Sequence, residues 1–510
     1  MKRFQPAIIL VLIAAAMLGA GCISQETKTD TLSGADAFFL RGEVEFQKQN
    51  LHAAAELFTQ AQEAYMASGN ISASLHARDR ATVARCLVLQ YPFNRSQIEA
   101  IINEQFPTIS ADRKATWLTP VNSMSIQSDG ETWYMDRTVS NILYHNMDLM
   151  RESTRMKGDT PFYDQMAPYA FAPAMPEKGI NRDPVTWEGT ETLTIPREKL
   201  PKTGTFRVWL PLPVETDSQK NVTILSLEPA RYLTSTTGTN ADIGIAYFEV
   251  PLDQVSGSHL NITAKFRFTQ YEQRYVIDPE KVGTYTTSDP EYIRYTAASR
   301  NIALTPGLKM EAEKIVGNET NPYRKAQKIY WHVIGMPYSS LSYARLLAHD
   351  SSTQPISEYV RTTGWGDCGA QSAYFAALCR ASGIPARAIG GWQMIPGYGG
   401  GHFWSEYYLP MYGWIPNDVT IAEGADWSFN ATDADRQRYK AYYGENLDPY
   451  RYIIQKDVDI PLVPENTDVT TQDFTFQSAR AICDTCTTDP ILWLPEYEHV
   501  AIVMVGGPGD

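Results

Sequence analysis

Gly364-Trp365-Gly366-Asp367-Cys368-Gly369-Ala370 is followed by an apolar helical pattern and then by His402 and Asp418. A cysteine, a histidine and an acid suit acyl transfer to sulfur. The thiolate attacks a carbonyl, the imidazole manages the proton, and the carboxylate orients the imidazole. Gly364 and Gly366 give a loop free to take unusual dihedrals, and Asp367 can cap a helix. From Cys368 onward Ala370, Tyr374, Ala377, Leu378 and Ala381 recur at helical spacing. Gly383 stops that helix and Pro385 prevents its return. Cys368 therefore falls in a first turn, where free N–H groups and the helix dipole favour a thiolate and can steady an oxyanion. The charge of Asp367 works against the thiolate. Taken alone, a cysteine here could equally be a buried structural thiol.

Residues 384–392 read as a short buried strand leaving the helix, and Gly397, Gly399, Gly400 and Gly401 as a mobile loop. His402-Phe403-Trp404-Ser405-Glu406-Tyr407-Tyr408-Leu409 reads as a second strand, whose period of two puts His402, Trp404, Glu406 and Tyr408 on one face. A turn over residues 410–413 lets Trp414-Ile415-Pro416-Asn417-Asp418 return antiparallel. Ideal register brings Asp418 near His402 without pairing them, and Pro416 predicts a bulge or an edge position. A lone strand histidine is commonly a satisfied structural residue. Should Asp418 fail as the acid, Glu406 is the alternative.

Gly366-Asp367-Cys368, the helix end Leu378-Cys379-Arg380-Ala381-Ser382-Gly383-Ile384-Pro385-Ala386-Arg387, then His402-Phe403-Trp404-Ser405-Glu406, Gly413-Trp414 and Asp418 together resemble the core of the transglutaminase-like superfamily. The resemblance covers residues 289–464. It implies a papain-like α+β fold in which the nucleophile's helix packs on an antiparallel sheet carrying the other two residues. Carried over by position, Cys368 is the nucleophile, His402 the general base and acid, and Asp418 the orienting acid. A protein or peptide substrate is implied, and the chemistry needs no metal or organic cofactor. The superfamily holds cross-linkers, peptidases, amidases and inactive members, so its fold does not choose the reaction. Gly369 stands where animal cross-linking enzymes carry a tryptophan. Hydrolysis is therefore expected ahead of protein cross-linking. A non-catalytic surface binding protein that retains the scaffold is the third reading.

The N-terminal 1–22 segment reads as a targeting signal: basic Lys2 and Arg3, an apolar run over 7–18, and Gly19-Ala20-Gly21-Cys22. The run is short for a membrane span. Ala20-Gly21-Cys22 resembles a lipoprotein signal, which makes Cys22 the expected lipidation site and the outer face of the cell membrane the expected location. A net charge of -14 with few basic clusters argues against nucleic-acid binding. Cys86 and Cys379 lie in apolar helical contexts and read as core residues. Cys483-Asp484-Thr485-Cys486 lacks nearby partners for zinc and reads as a local disulfide. Asn70, Asn94, Asn221, Asn261, Asn318 and Asn430 each begin an N-x-[ST] sequon and are candidate glycosylation sites.

The whole reads as a multidomain α+β chain. Residues 35–160 are expected to be helical, with one tetratricopeptide-like helix pair in which Gly42, Ala54, Phe58 and Ala61 pack and Asn50 marks the turn. That region could bind a partner peptide or serve as a packing module. Residues 160–184 read as a linker, and residues 185–280, with short strands between Pro, Gly and Asn, as a β-sandwich. The catalytic core follows over 289–464. The tail, 465–510, has strand-like stretches and no assigned role.

Overall fold

The computed structural model describes residues 34–118, 125–158, 160–173, 179–344, 354–465 and 474–507. The 1–22 segment expected to be a targeting signal, with Cys22, lies outside the described residues. The chain starts with α1 (Gly34–Gln47), α2 (Leu51–Ala67) and α3 (Ile71–Gln90), with α2 packed against both neighbours. Close approach explains Gly42: a Cβ there would meet the Phe58 ring at 2.7 Å. The Asn70 side chain caps α3 by accepting from Ala73 N–H. There follow β1 (Phe93–Asn94), α4 (Arg95–Gln105), α5 (Ala111–Trp117), the hairpin β2 (Ser125–Ser128) and β3 (Glu131–Tyr134), α6 (Thr138–Tyr144) and α7 (Met147–Lys157). The last two helices are separated by His145 and Asn146.

Residues 160–184 are not a linker. They carry α8 (Pro161–Phe171), which packs on two helices of the core, and the start of the first long strand. Pro161 occupies the first turn, where a missing N–H is harmless. The proline and methionine content that suggested a linker hid a short helix stabilised by tertiary contact.

β4 (Asn181–Pro196), β5 (Thr205–Pro211), β6 (Gln219–Glu228), β7 (Leu233–Thr236), β8 (Ile245–Pro251) and β9 (His259–Arg274) form two antiparallel sheets. β4 and β9 pair along nearly their whole length, with β6 on the other edge of β9. β5, β8 and β7 make the second sheet. Strand alternation turns Trp187, Leu193, Ile262 and Phe266 from one sheet and Phe206, Val208, Phe248 and Val250 from the other into one apolar cluster.

The next unit is built around one buried helix. α9 (Pro290–Thr296), α10 (Pro306–Val316), α11 (Pro322–Val333) and α12 (Ile356–Thr363) precede α13 (Cys368–Ala381). Residues 369–380 of α13 are all buried, so the helix is enclosed on every side rather than amphipathic, with Gln371, Ser372 and Arg380 as its buried polar members. It packs on α10, α11 and α12, and on β10 (Ala386–Ile395) and β11 (Tyr398–Leu409). β10 and β11 form an unbroken hairpin from Ile395↔Tyr398 to Ala386↔Tyr407. Gly399, Gly400 and Gly401 therefore lie in a paired strand, not in a mobile loop. β12 (Gly413–Asn417) pairs with β11 without a register shift and is the sheet edge. Pro416 is accommodated there by edge position, with no bulge.

α14 (Val419–Trp427), α15 (Asp433–Tyr443), β13 (Asn446–Leu447) and β14 (Arg451–Gln455) complete the unit, with β14 on the far side of β10 and β13 joined to β9. At Gly391 the two backbones approach so closely that a Cβ would lie 1.9 Å from the Tyr452 carbonyl oxygen. The register of the β10–β14 pair shifts at that point.

The tail is built into the two-sheet unit. β15 (Arg480–Cys483) pairs with β5, and β16 (Glu498–Gly506) pairs with β4. Trp493 stacks on Phe206 between them at 6.1 Å. Long-range pairing of this kind leaves no local signal, which is why the segment read as unassigned. Residues 474–476, which looked strand-like, are irregular.

Candidate active site

Cys368 opens α13, and Asp367 is its N-cap: Oδ1 accepts from Ala370 N–H at 3.1 Å and from the Tyr343 hydroxyl at 2.7 Å. The residue is half-buried. The backbone N–H groups of Phe403 and Gly369 stand where they favour its thiolate, which sets the sulfur near the strand position beside His402. Burial pushes the Cys368 thiol well up, and the Asp367 carboxylate pushes it further. Those two N–H groups pull it back without prevailing. The helix-start thiolate expected from sequence is thus outweighed, and the resting sulfur carries its proton. Asp367 itself is pushed up to about 6 by burial, against the opposing pull of Tyr343 and the N–H groups of the first turn.

His402 Nε2 lies 2.8 Å from Asp418 Oδ2, both groups being buried. An ionised carboxylate only accepts, so Nε2 carries the hydrogen and Nδ1, on the opposite edge of the ring, is left as the base. Asp418 also caps α14 through Oδ1, which accepts from Ile421 N–H at 3.0 Å and from the Thr420 hydroxyl at 3.2 Å. Turn cap and orienting acid are therefore one residue. Arg451, wholly buried on β14, donates to Asp418 Oδ2 at 2.6 Å and to Asp448 Oδ2 at 2.7 Å. Burial alone would raise the Asp418 carboxyl. His402, Arg451 and Ile421 N–H outweigh it and hold the group well below the carboxylate range. With neutral imidazole, Asp418, Arg451 and Asp448 sum to one negative charge; a proton on His402 brings the set to zero.

Glu406, four residues along the strand from His402, is engaged elsewhere. Its carboxylate binds Arg387 at 2.6 Å, and that guanidinium lies 4.0 Å from the Trp414 ring centre. It does not serve His402.

Arg451 and Asp448 were missed in the sequence. The available signal was an arginine opening the otherwise apolar strand Arg451-Tyr452-Ile453-Ile454, since a charge inside such a run needs a buried partner.

The walls come from distant segments. Gly369 leaves room for no side chain: a Cβ would meet the Tyr343 hydroxyl at 2.8 Å, Phe474 at 3.1 Å and Phe403 at 3.3 Å. Gln477, in the tail, donates to the His402 carbonyl at 2.7 Å and to the Gly391 carbonyl at 2.8 Å. Tyr144 of α6 packs against Tyr338 and Trp427, with centroids 4.7 and 5.1 Å away. Cys483 and Cys486 are joined in a disulfide within the two-sheet unit. Cys379 is buried in α13 and Cys86 half-buried in α3. Of the sequon asparagines, Asn70, Asn221, Asn261, Asn318 and Asn430 are exposed, while Asn94 is half-buried in the capping box of α4. Among the described residues no helix is long and apolar enough to cross a membrane, and no cluster of His, Cys, Asp and Glu has metal-holding geometry.

Residues 309–419 match the model of the transglutaminase-like superfamily, so the chain carries a core of that superfamily. The matched span takes in Cys368, His402 and Asp418. An uncharacterized protein of Haemophilus influenzae is 32% identical over 166 residues, covering 28% of this chain and 42% of that protein. The match thus spans less than half the length of that relative. Among solved structures, a protein of Cytophaga hutchinsonii described as a cysteine protease is 17% identical with a TM-score of 0.39, covering 64% of this chain and 92% of the other. The periplasmic domain of TgpA from Pseudomonas aeruginosa is 15% identical with a TM-score of 0.24, over 52% and 94%. Neither structural likeness bears on what this chain does.

Proposed function

We propose that the chain is a thiol enzyme that hydrolyses amide bonds of protein or peptide substrates through a cysteinyl thioester. One observation carries the reading: His402, bound to Asp418 at 2.8 Å, adjoins Phe403, whose backbone N–H stands where it favours the Cys368 thiolate. In the first step His402 Nδ1 takes the thiol proton as sulfur attacks the carbonyl carbon. The proton and the attack are coupled, because the resting thiol is neutral. Asp418, bound to Nε2, faces the positive charge that the ring carries during this step. The oxyanion forms at the start of α13, where the positive end of the helix dipole steadies it. His402 then protonates the departing amine and the C–N bond breaks, leaving the thioester. Water, deprotonated by His402, attacks the thioester and releases the acid and the thiol.

Water and an amine can both serve as acceptor, and protein cross-linking is the variant in which lysine replaces water. The packing that forces Gly369 to be small removes the tryptophan position of animal cross-linkers, which supports hydrolysis. We place the protein outside the cell, anchored by lipid on Cys22, on the strength of Lys2, Arg3, the apolar run and Ala20-Gly21-Cys22. Cys368→Ala is expected to abolish cleavage of extracellular protein substrates without loss of folding. Equal cleavage by variant and wild type sinks the assignment.

The raised thiol favours a second reading, a surface binding protein with a retained scaffold. Alkylation of Cys368 by iodoacetamide near neutral pH separates the two. An inert thiol, with partner binding intact in the triple Cys368/His402/Asp418 alanine variant, supports the binding protein.

A further inference from the structure

Glu423 lies on α14, the helix that Asp418 caps, on the same face as Trp427 one turn later. It is 3% exposed, and its Oε1 has no hydrogen-bond partner among the described residues. Gln371, on the first turn of α13 just beyond Cys368, stands close enough to favour the ionised carboxyl. Gln371 donates from Nε2 to the Gly366 carbonyl at 3.1 Å, and its own Oε1 is also without a partner. Lys440, the nearby cation, is bound to Asp426 at 2.5 Å and leaves Glu423 unneutralised. A buried carboxyl with an unused oxygen costs stability that an apolar residue would not. Such a departure from packing rules is expected where a group serves function.

Aromatic rings stand in the same neighbourhood. Tyr144 and Tyr338 each lie within electrostatic reach of both the Glu423 carboxyl and the Cys368 sulfur. With Trp427 they form a three-ring cluster, Tyr338 and Trp427 being 5.9 Å apart between centroids. All three rings are half-buried and keep part of their surface open. Ring faces beside a carboxyl are the chemistry that recognises an organic cation. We infer that Glu423, Gln371 and the Tyr144–Tyr338–Trp427 rings form a subsite beside Cys368 for a primary ammonium group of the substrate. Burial, reinforced by Asp426 and Asp418, holds the Glu423 carboxyl well above the carboxylate range, so it stands neutral. An arriving ammonium stabilises the ionised form, and the carboxyl proton leaves to water. The ammonium can belong to the molecule whose carbonyl is attacked or to an amine that accepts the acyl group.

The first test needs no turnover and so stands apart from the proposed hydrolysis. Cys368 is treated with 2-aminoethyl, methyl or 2-sulfonatoethyl methanethiosulfonate, and its modification is read by peptide mass spectrometry, which separates it from Cys86 and Cys379. After normalisation to a free thiol, the aminoethyl reagent should react about tenfold faster than the methyl one, and the sulfonate slowest. Glu423→Gln keeps shape and hydrogen bonding and should lose most of that advantage. Should that variant fail to fold, Trp427→Leu should reduce the advantage likewise. A wild-type ratio near one, or a ratio unchanged in the variants, overturns the subsite. The second test rests on the proposed reaction and locates the cation. In cleavage of paired lysine and norleucine peptides, a Glu423→Gln loss confined to lysine peptides puts the ammonium on the acyl donor. A loss confined to amine incorporation puts it on the acceptor, and no loss in either overturns the substrate assignment. If no amide is turned over at all, the hydrolase reading fails while the thiosulfonate ratio still decides the subsite.

Discussion

At the scale of single residues, the acids around Cys368 and His402 do different work. Asp367 keeps its proton to about pH 6 in the folded chain, against about 4 when unfolded. Between those values the unfolded chain has released the proton and the folded one has not, so stability falls as pH rises through the window. The cost above it is roughly 2–3 kcal/mol. Asp367→Asn keeps the Oδ1 acceptor for Ala370 and Tyr343, removes that loss, and takes a negative charge from beside the thiol. Melting from pH 4 to pH 8 should fall less steeply in the variant. Its rate of Cys368 alkylation should rise at a lower pH, by about half to one unit. Unchanged profiles for both would leave Asp367 as a simple cap. Asp418 behaves oppositely. Its folded value is depressed, so its stabilisation is complete above about pH 4 and is lost as pH falls below that. Asp418→Asn should lower turnover by about 10³–10⁴ through the wrong imidazole tautomer. It should also cost about 3–5 kcal/mol, because buried Arg451 loses a counter-ion. A full-strength melting point in this variant would contradict the network.

At the scale of elements, the pairing of β10 with β14 is what delivers Arg451 to Asp418. Gly391→Ala would drive a methyl into the Tyr452 carbonyl. It should cost about 1–3 kcal/mol or more and lower turnover by displacing Arg451; a wild-type denaturation midpoint would show that β14 shifts freely. Legibility follows from the same distinction between near and far. Asp367, Cys368 and the helix to Ala381 were readable because cap, periodicity and stop lie within one continuous stretch. His402 and Asp418 were readable because one hairpin joins them. Arg451 was not, since β14 reaches β10 only after two helices and a two-residue strand intervene. α8 was hidden by its prolines and β15 by a partner about 270 residues earlier in the chain, whereas β16 looked strand-like and only its pairing with β4 was hidden.

At the scale of the whole molecule, the helical N-terminal region forms one side of the cleft. Asn141 clasps Ser340 through two hydrogen bonds of 2.9 and 3.1 Å, and Arg151 donates to the Asp426 carbonyl at 2.8 Å. Asn141→Ala should cost about 1–3 kcal/mol and loosen Tyr144 from Tyr338. The expected signature is a raised KM with kcat kept, together with faster proteolysis around 339–344. A loss of kcat with KM unchanged would instead tie the helices to chemistry. At the opposite end of the chain, Phe474 covers Gly369 and Gln477 holds the backbone of His402. During synthesis Cys368, His402 and Asp418 all leave the ribosome before those residues do, and chains grow at about 5–20 residues per second. Each newly made molecule therefore passes through seconds of elongation with the site unfinished, and a chain cut short just past β14 stays incomplete. Premature termination between β14 and Phe474 should leave a product with an inert Cys368.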